Sequence, residues 1–142
     1  MPVKRTTQNR KTQDGNKTVT KSKPARKSKK PALQTVVTNA LADMKALEVK
    51  LLDVRGLTDI ADTMVIASGT SDRHVRSVAQ RVVEKAKEAG FRPHGVEGEQ
   101  DGDWVLIDLS EIIVHIMLPR VREFYGLEKL WDMTIAKRAA RA

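Results

Sequence analysis

The stretch TMVIASGTSDRHV, residues 63–75, sets the architecture. Its first six residues form an apolar run rich in β-branched side chains, which reads as a strand (63–68). A small polar turn follows, and Ser71 stands where a helix needs an N-cap. Val75, Val78, Ala79, Val82, Val83 and Ala86 then recur at helical spacing up to Gly90, a natural C′ residue. Strand, turn and amphipathic helix in direct succession indicate an α/β layer. The turn itself poses the functional question, because free amides at a helix start bind anions, and Arg73 and His74 would add to that. SGTSDRH lacks the Lys and Gly spacing of a phosphate-binding loop and the Gly spacing of a dinucleotide fingerprint. Thr70, Ser71 and Asp72 are also the residues that a helix start selects for its own amides. A capped helix start is the preferred reading.

Outward from this unit the pattern continues on both sides. Upstream, Leu33, Val36, Val37, Ala40, Leu41, Met44 and Leu47 predict a first amphipathic helix, and VKLLDV (49–54) predicts a strand. Downstream, WVLIDL (104–109) and IIVHIML (112–118) predict two strands paired as a hairpin through Ser110–Glu111. Pro119 opens a final helical stretch through REFYGLEKLWDM. Counted as one helix, it turns Val121, Phe124, Leu127 and Trp131 toward the sheet, with Phe124 in the core, and leaves Tyr125, Glu128 and Asp132 on another side. The expected fold is a single mixed-sheet α/β domain flanked by helices, in the order α-β-β-α-β-β-α.

The chain has 142 residues and a formal net charge of +8, which suits one domain. Residues 1–31 hold eleven Lys and Arg against one acid, Asp14, so this segment carries +10 and the rest −2. Almost devoid of large apolar residues, it is expected to be a disordered tail ahead of a domain spanning 32–142. Three readings of the tail stand: an arm on nucleic acid, a solubilising extension, and a mitochondrial presequence. The bias to Lys and the lack of an amphipathic helix weigh against the last. The absence of Cys excludes disulfides, thiolate metal sites and Cys nucleophiles. No apolar run approaches the length of a membrane span, so the expected location is the cytoplasm, with organellar import left open.

Chemistry finds little support in the residues. A strand followed by Gly-Thr-Ser and a helix resembles the opening of the nucleotidyltransferase fold. That chemistry needs two carboxylates on one strand face to hold Mg²⁺. Asp101 and Asp103 have the spacing but sit in a Gly-containing turn, and Asp108 follows Asp103 by five residues, on the opposite face. His74, His94 and His115 lack paired metal-ligand spacing, and His115 reads as a core or sheet-face residue with one satisfied nitrogen. No Ser has a nucleophile-elbow context. The expectation is a protein that is not an enzyme and holds no cofactor or metal.

A surface remains. From Pro93 to Pro119 there is no Lys or Arg, while Glu97, Glu99, Asp101, Asp103, Asp108 and Glu111 accumulate. Trp104, Phe124, Tyr125 and Trp131, four of the five aromatics, lie beside or after this stretch. Aromatics next to charge are the composition of an interface hot spot, and acidic surroundings suit a basic protein partner.

GLTDIADTMVIASGTSDRHVRSVAQRV (56–82) and GVEGEQDGDWVLIDLSEIIVHIMLPRVREFYGLEKLW (95–131) resemble the Iojap/RsfS family, the ribosomal silencing factors, over residues from about 40 to 131. The resemblance implies a nucleotidyltransferase-like domain without catalytic carboxylates, and SGTSDRH as a fold relic and helix cap. It implies binding to the large ribosomal subunit through ribosomal protein number fourteen on the joining face, steric block of subunit association and repression of translation. It also implies assembly roles for organellar members and homodimers for some members when free. On the family's DW and R-x-[FL]-Y-x-LE-x-LW motifs, Asp103, Trp104, Arg122, Tyr125, Glu128 and Trp131 are expected to contribute to docking. The tail lies outside the resemblance and is expected to reach nearby rRNA. The alternatives are a divergent nucleotidyltransferase-fold enzyme and a large-subunit assembly factor.

Overall fold

The computed structural model describes residues 32–141; the basic tail expected at 1–31 lies outside them. The elements are α1 (Leu33–Asp43), β1 (Leu47–Asp53), β2 (Thr63–Ser68), α2 (Asp72–Glu88), β3 (Gly95–Glu97), β4 (Trp104–Asp108), β5 (Ile112–Met117), α3 (Pro119–Tyr125) and α4 (Leu127–Arg141). The strands form one sheet in the order β1-β2-β5-β4-β3. Only β2 and β5 run parallel, from Thr63 opposite Ile112 to Ser68 opposite Met117; the other pairs are antiparallel. The expected mixed sheet flanked by helices is therefore present, with two departures in element order.

The first departure is β3, a three-residue edge strand paired with β4. Three residues are too few to display an alternating pattern. The second is the C-terminal helix, which is two helices. Gly126 adopts a left-handed conformation (φ 58°), where its amide donates to the Arg122 carbonyl. Glycine takes that conformation without a Cβ penalty, so the chain turns there and the helical phase is lost.

The reading of Phe124 is corrected too: α3 buries Val121 and Arg122, and Phe124, off that face, is 80% exposed rather than core. Leu47 is likewise not on α1. Lys45 at φ 58° ends that helix, with the Ala46 amide donating to Leu41 and the Lys45 amide to Ala42, the paired bonds of a Schellman close. Leu47 then begins β1, opposite Ser68, and a bulge follows before Lys50 meets Ile66. The extra residue puts Leu47 on the same sheet face as Lys50.

The sheet separates two apolar clusters. On one face, α1 and α2 bury Leu33, Val37, Ala40, Leu41, Val75, Val78, Ala79, Val82 and Ala86 against Val65, Ala67, Val105, Ile107, Val114 and Ile116. Each fully buried Val there stabilises the fold by about 1.5–3 kcal/mol. The opposite face is covered more thinly. Leu52, Val54, Met64, Ile66, Met117 and Val121 form its buried centre, with Trp104, Leu127, Trp131 and Ile135 packed at the margin. α4 is tied to β1 by Lys50 with Asp132 at 2.5 Å and by Arg138, which donates to the Asp53 and Arg55 carbonyls at 2.9 and 2.7 Å.

Candidate partner-binding face

The SGTSDRH turn is occupied by its own chain. Ser71 Oγ accepts from the His74 amide at 3.1 Å, as an N-cap does. The Thr70 amide donates to His74 Nδ1 at 2.9 Å, so the neutral ring carries its proton on Nε2. That nitrogen lies 2.8 Å from the Met44 carbonyl, and His74 thereby ties the start of α2 to the end of α1. Gly69 permits the approach, since a Cβ there would stand 2.8 Å from Val75 Cγ2 and 2.9 Å from its amide nitrogen. Asp101 and Asp103 lie in the turn ahead of β4, and among the described residues no three His, Asp or Glu side chains converge as metal ligands would.

That turn is built against α2. Gly102, at φ 74°, leaves room where a Cβ would meet Arg76 Nη1 at 2.6 Å and the Asp72 carbonyl at 2.8 Å. Arg76 bonds Asp72 at 3.2 Å and reaches the Asp101 carbonyl at 3.4 Å. The Asp103 carbonyl accepts from the Leu118 amide at 3.0 Å, so the DW pair is held between the start of α2 and the end of β5. Asp103 is exposed and Trp104 half-buried, with Glu97, Glu99 and Asp101 exposed beside them.

The Trp104 ring joins two layers. Its Nε1–H donates to His115 Nδ1 at 3.0 Å, and its ring centroid lies 5.1 Å from that of Tyr125. Tyr125 in turn meets Phe124 edge-on at 5.0 Å. With Tyr125 60% and Phe124 80% exposed, the three rings form a continuous aromatic cluster that opens to solvent at α3. Buried on β5, His115 is neutral: desolvation pushes it down to about 4. The expectation of one satisfied nitrogen is met, since Nδ1 has its partner and Nε2 has none.

The remaining expected residues are placed differently. Arg122 is buried, and its Nε and Nη2 grip the Glu128 carboxylate at 2.5 and 3.2 Å, while Nη1 donates to Ser68 Oγ at 3.0 Å. Arg122 holds the Glu128 carboxyl below its usual range. The fork closes the corner at Gly126 and pins it to the end of β2. Trp131 is half-buried against the apolar cluster on the thinly covered face of the sheet. Trp104 and Tyr125 thus meet at one surface, with exposed Asp103 next to Trp104 in the chain, whereas Arg122 and Glu128 bond each other and Trp131 packs on the sheet. Phe124 is the surface residue that periodicity missed.

The structure is thus a mixed α/β domain whose helix-start turn is filled by its own caps and which exposes aromatics on α3. Residues 26–141 match the family model described as "Ribosomal silencing factor during starvation", and the chain belongs to that family. It is 42% identical over 100 residues to the Haemophilus influenzae ribosomal silencing factor RsfS, covering 70% of this chain and 98% of that one. It is 32% identical to the mouse "mitochondrial assembly of ribosomal large subunit protein 1" over 69% of this chain and 44% of that one. A crystal structure from Chromobacterium violaceum superposes with a TM-score of 0.69 at 40% identity, over 70% of this chain and 83% of that one. These names are those of silencing and assembly factors rather than of enzymes. Among the described residues, no helix is long and apolar enough to cross a membrane.

Proposed function

We propose that this protein binds the large ribosomal subunit in the cytoplasm, through a ribosomal protein on the joining face, and sterically blocks association with the small subunit, so repressing translation without catalysis. The observation that carries this reading is the Trp104–Tyr125–Phe124 cluster, in which Tyr125 and Phe124 are exposed and half-buried Trp104 follows Asp103 and the exposed acids of 97–101 in the chain. Rigid aromatics supply apolar contact at low entropic cost, and the acids favour a basic partner over bare nucleic acid. In this reading Asp103, Trp104 and Tyr125 make contacts. Arg122, Glu128 and Trp131 contribute by holding α3 and α4 in place. The basic segment 1–31 adds a salt-sensitive contact with neighbouring rRNA.

The test is co-sedimentation of the purified chain with separated subunits, followed by a subunit-joining assay with and without residues 1–31. Binding to large subunits alone with joining blocked is the expected result, and binding to neither subunit refutes the proposal. The mouse relative's name favours a second reading, assembly of the large subunit through the same surface. In that case depletion leaves immature large subunits even in rich medium. Sedimentation of the free protein tests whether it forms a homodimer that dissociates on binding.

A further inference from the structure

His115 stands out against its strand. β5 lies inside the sheet between β2 and β4, and its other five residues, Ile112, Ile113, Val114, Ile116 and Met117, are all buried and apolar. An imidazole at that position, opposite Ile66 and Leu106, has to be justified by what its nitrogens do. Nδ1 accepts the Trp104 indole N–H at 3.0 Å. Because an indole only donates, the ring must be the Nε2–H tautomer. Nε2 is then a buried donor, and it is the one buried side-chain polar atom among the described residues with no partner. Leaving a buried donor unmade costs more than an ordinary hydrogen bond returns, so on stability alone an apolar residue would suit the site better. The compensating role lies at the other nitrogen. Trp104 sits at the margin of the thinly covered face, where an indole lacking an internal acceptor would turn its N–H to water. Tyr125 packs on that indole and Phe124 packs on Tyr125, and both stand on a seven-residue helix ended by a left-handed glycine.

We propose that His115 is a positioning residue for the docking face: its Nδ1 holds the Trp104 indole in the orientation that presents Tyr125 and Phe124 to the partner. This rests on the docking reading above and adds a residue that touches no partner. It makes an unusual demand, that stability and binding separate. His115→Leu removes the acceptor and the orphan donor together, so the thermal midpoint is maintained or rises while binding weakens. His115→Asn sets its Oδ1 close to where Nδ1 was and preserves the acceptor.

The experiment uses the full chain with two readouts. The first is hydrogen exchange of the Trp104 indole N–H by ¹⁵N-resolved NMR, assigned with the aid of Trp131→Phe. The second is affinity for isolated large subunits. Slow exchange is expected in the wild type and His115→Asn, with fast exchange in His115→Leu. Binding by His115→Leu should be about tenfold weaker, the factor corresponding to one net hydrogen bond of orientation, with His115→Asn close to the wild type. Unchanged indole exchange in His115→Leu, or wild-type affinity in it, overturns the proposal. So does a parallel fall of midpoint and affinity that Asn does not rescue, which would assign a purely structural role. If the wild type itself fails to bind, the docking reading falls and this proposal falls with it. The indole exchange still reports separately whether Nδ1 fixes the ring.

Discussion

Arg122→Ala should destabilise the domain by about 3 kcal/mol, a cost that arises inside the protein rather than at an interface. The Arg122 side chain is 9% exposed, and its guanidinium makes two bonds to Glu128 and one to Ser68. Truncating one partner of a buried ion pair costs about 3–5 kcal/mol, mostly because the other charge is left desolvated. Glu128 keeps 24% of its side chain in water, so the lower end applies. For a domain of this size, about 3 kcal/mol lowers the thermal midpoint by roughly 10–20 °C.

Urea unfolding of Arg122→Ala, Glu128→Ala and the double variant isolates the pair term, expected at about 1.5–3 kcal/mol. The double replacement Arg122→Met with Glu128→Leu should recover most of the loss, because no charge is then left buried alone. The acid dependence supplies an independent sign. Since Arg122 lowers the Glu128 carboxyl, this contribution is complete above the ordinary carboxylate value and is lost as pH falls through the lowered one. The acid limb of stability should therefore flatten in Arg122→Ala. Unaltered unfolding in Arg122→Ala together with lost ribosome binding would refute the reasoning and make Arg122 a contact residue.

Tyr125→Ala removes a side chain that is 60% exposed, so stability should change by less than about 1 kcal/mol, while large-subunit binding falls by about 30-fold or more if Tyr125 is a hot spot. Circular dichroism and co-sedimentation on the same preparation separate the two, and retained binding would remove it from the docking face. Gly102→Ala forces a Cβ toward Arg76 and the Asp72 carbonyl at φ 74° and should cost about 2 kcal/mol, read as a shifted urea midpoint. His115 titrates near 6.5 when unfolded and about 4 when folded, so the unfolded chain binds its proton first. Stability from this group is full above pH 6.5 and declines by about 3 kcal/mol as pH falls to 4. The difference in stability between wild type and His115→Leu, measured by urea unfolding across that range, should trace this decline; a flat difference would show that the ring is not buried neutral.

Much of the architecture was local information. The periodicity of α1 and α2, the Ser71 cap and the apolar runs of β2, β4 and β5 each sit within a few residues of their cause. Burial of one face or both left its mark on hydrophobic spacing, and an N-cap is chosen by the amides beside it. The acidic stretch and the DW pair were equally legible, because charge and composition need no fold to be counted. β3 escaped because three residues carry no period, and Leu47 because the helix ends at a left-handed lysine where glycine is the usual marker.

Which side chains meet was another matter. Arg122 and Glu128 look like surface charges until a left-handed Gly126 folds α4 back and Ser68, far off in the chain, closes the cage. Phe124 looks like core until α3 docks through Val121 and Arg122 and leaves it in solvent. His115 acquires a role only when β4 lies antiparallel beside β5 and brings the Trp104 indole to its ring. Sequence by itself determined the long periodic elements, the family and the chemistry of the surface, since spacing and composition are properties of the chain. Only the tertiary structure decided which aromatics face solvent and which charges are spent on each other, because register and helix phase depend on contacts between residues distant in sequence.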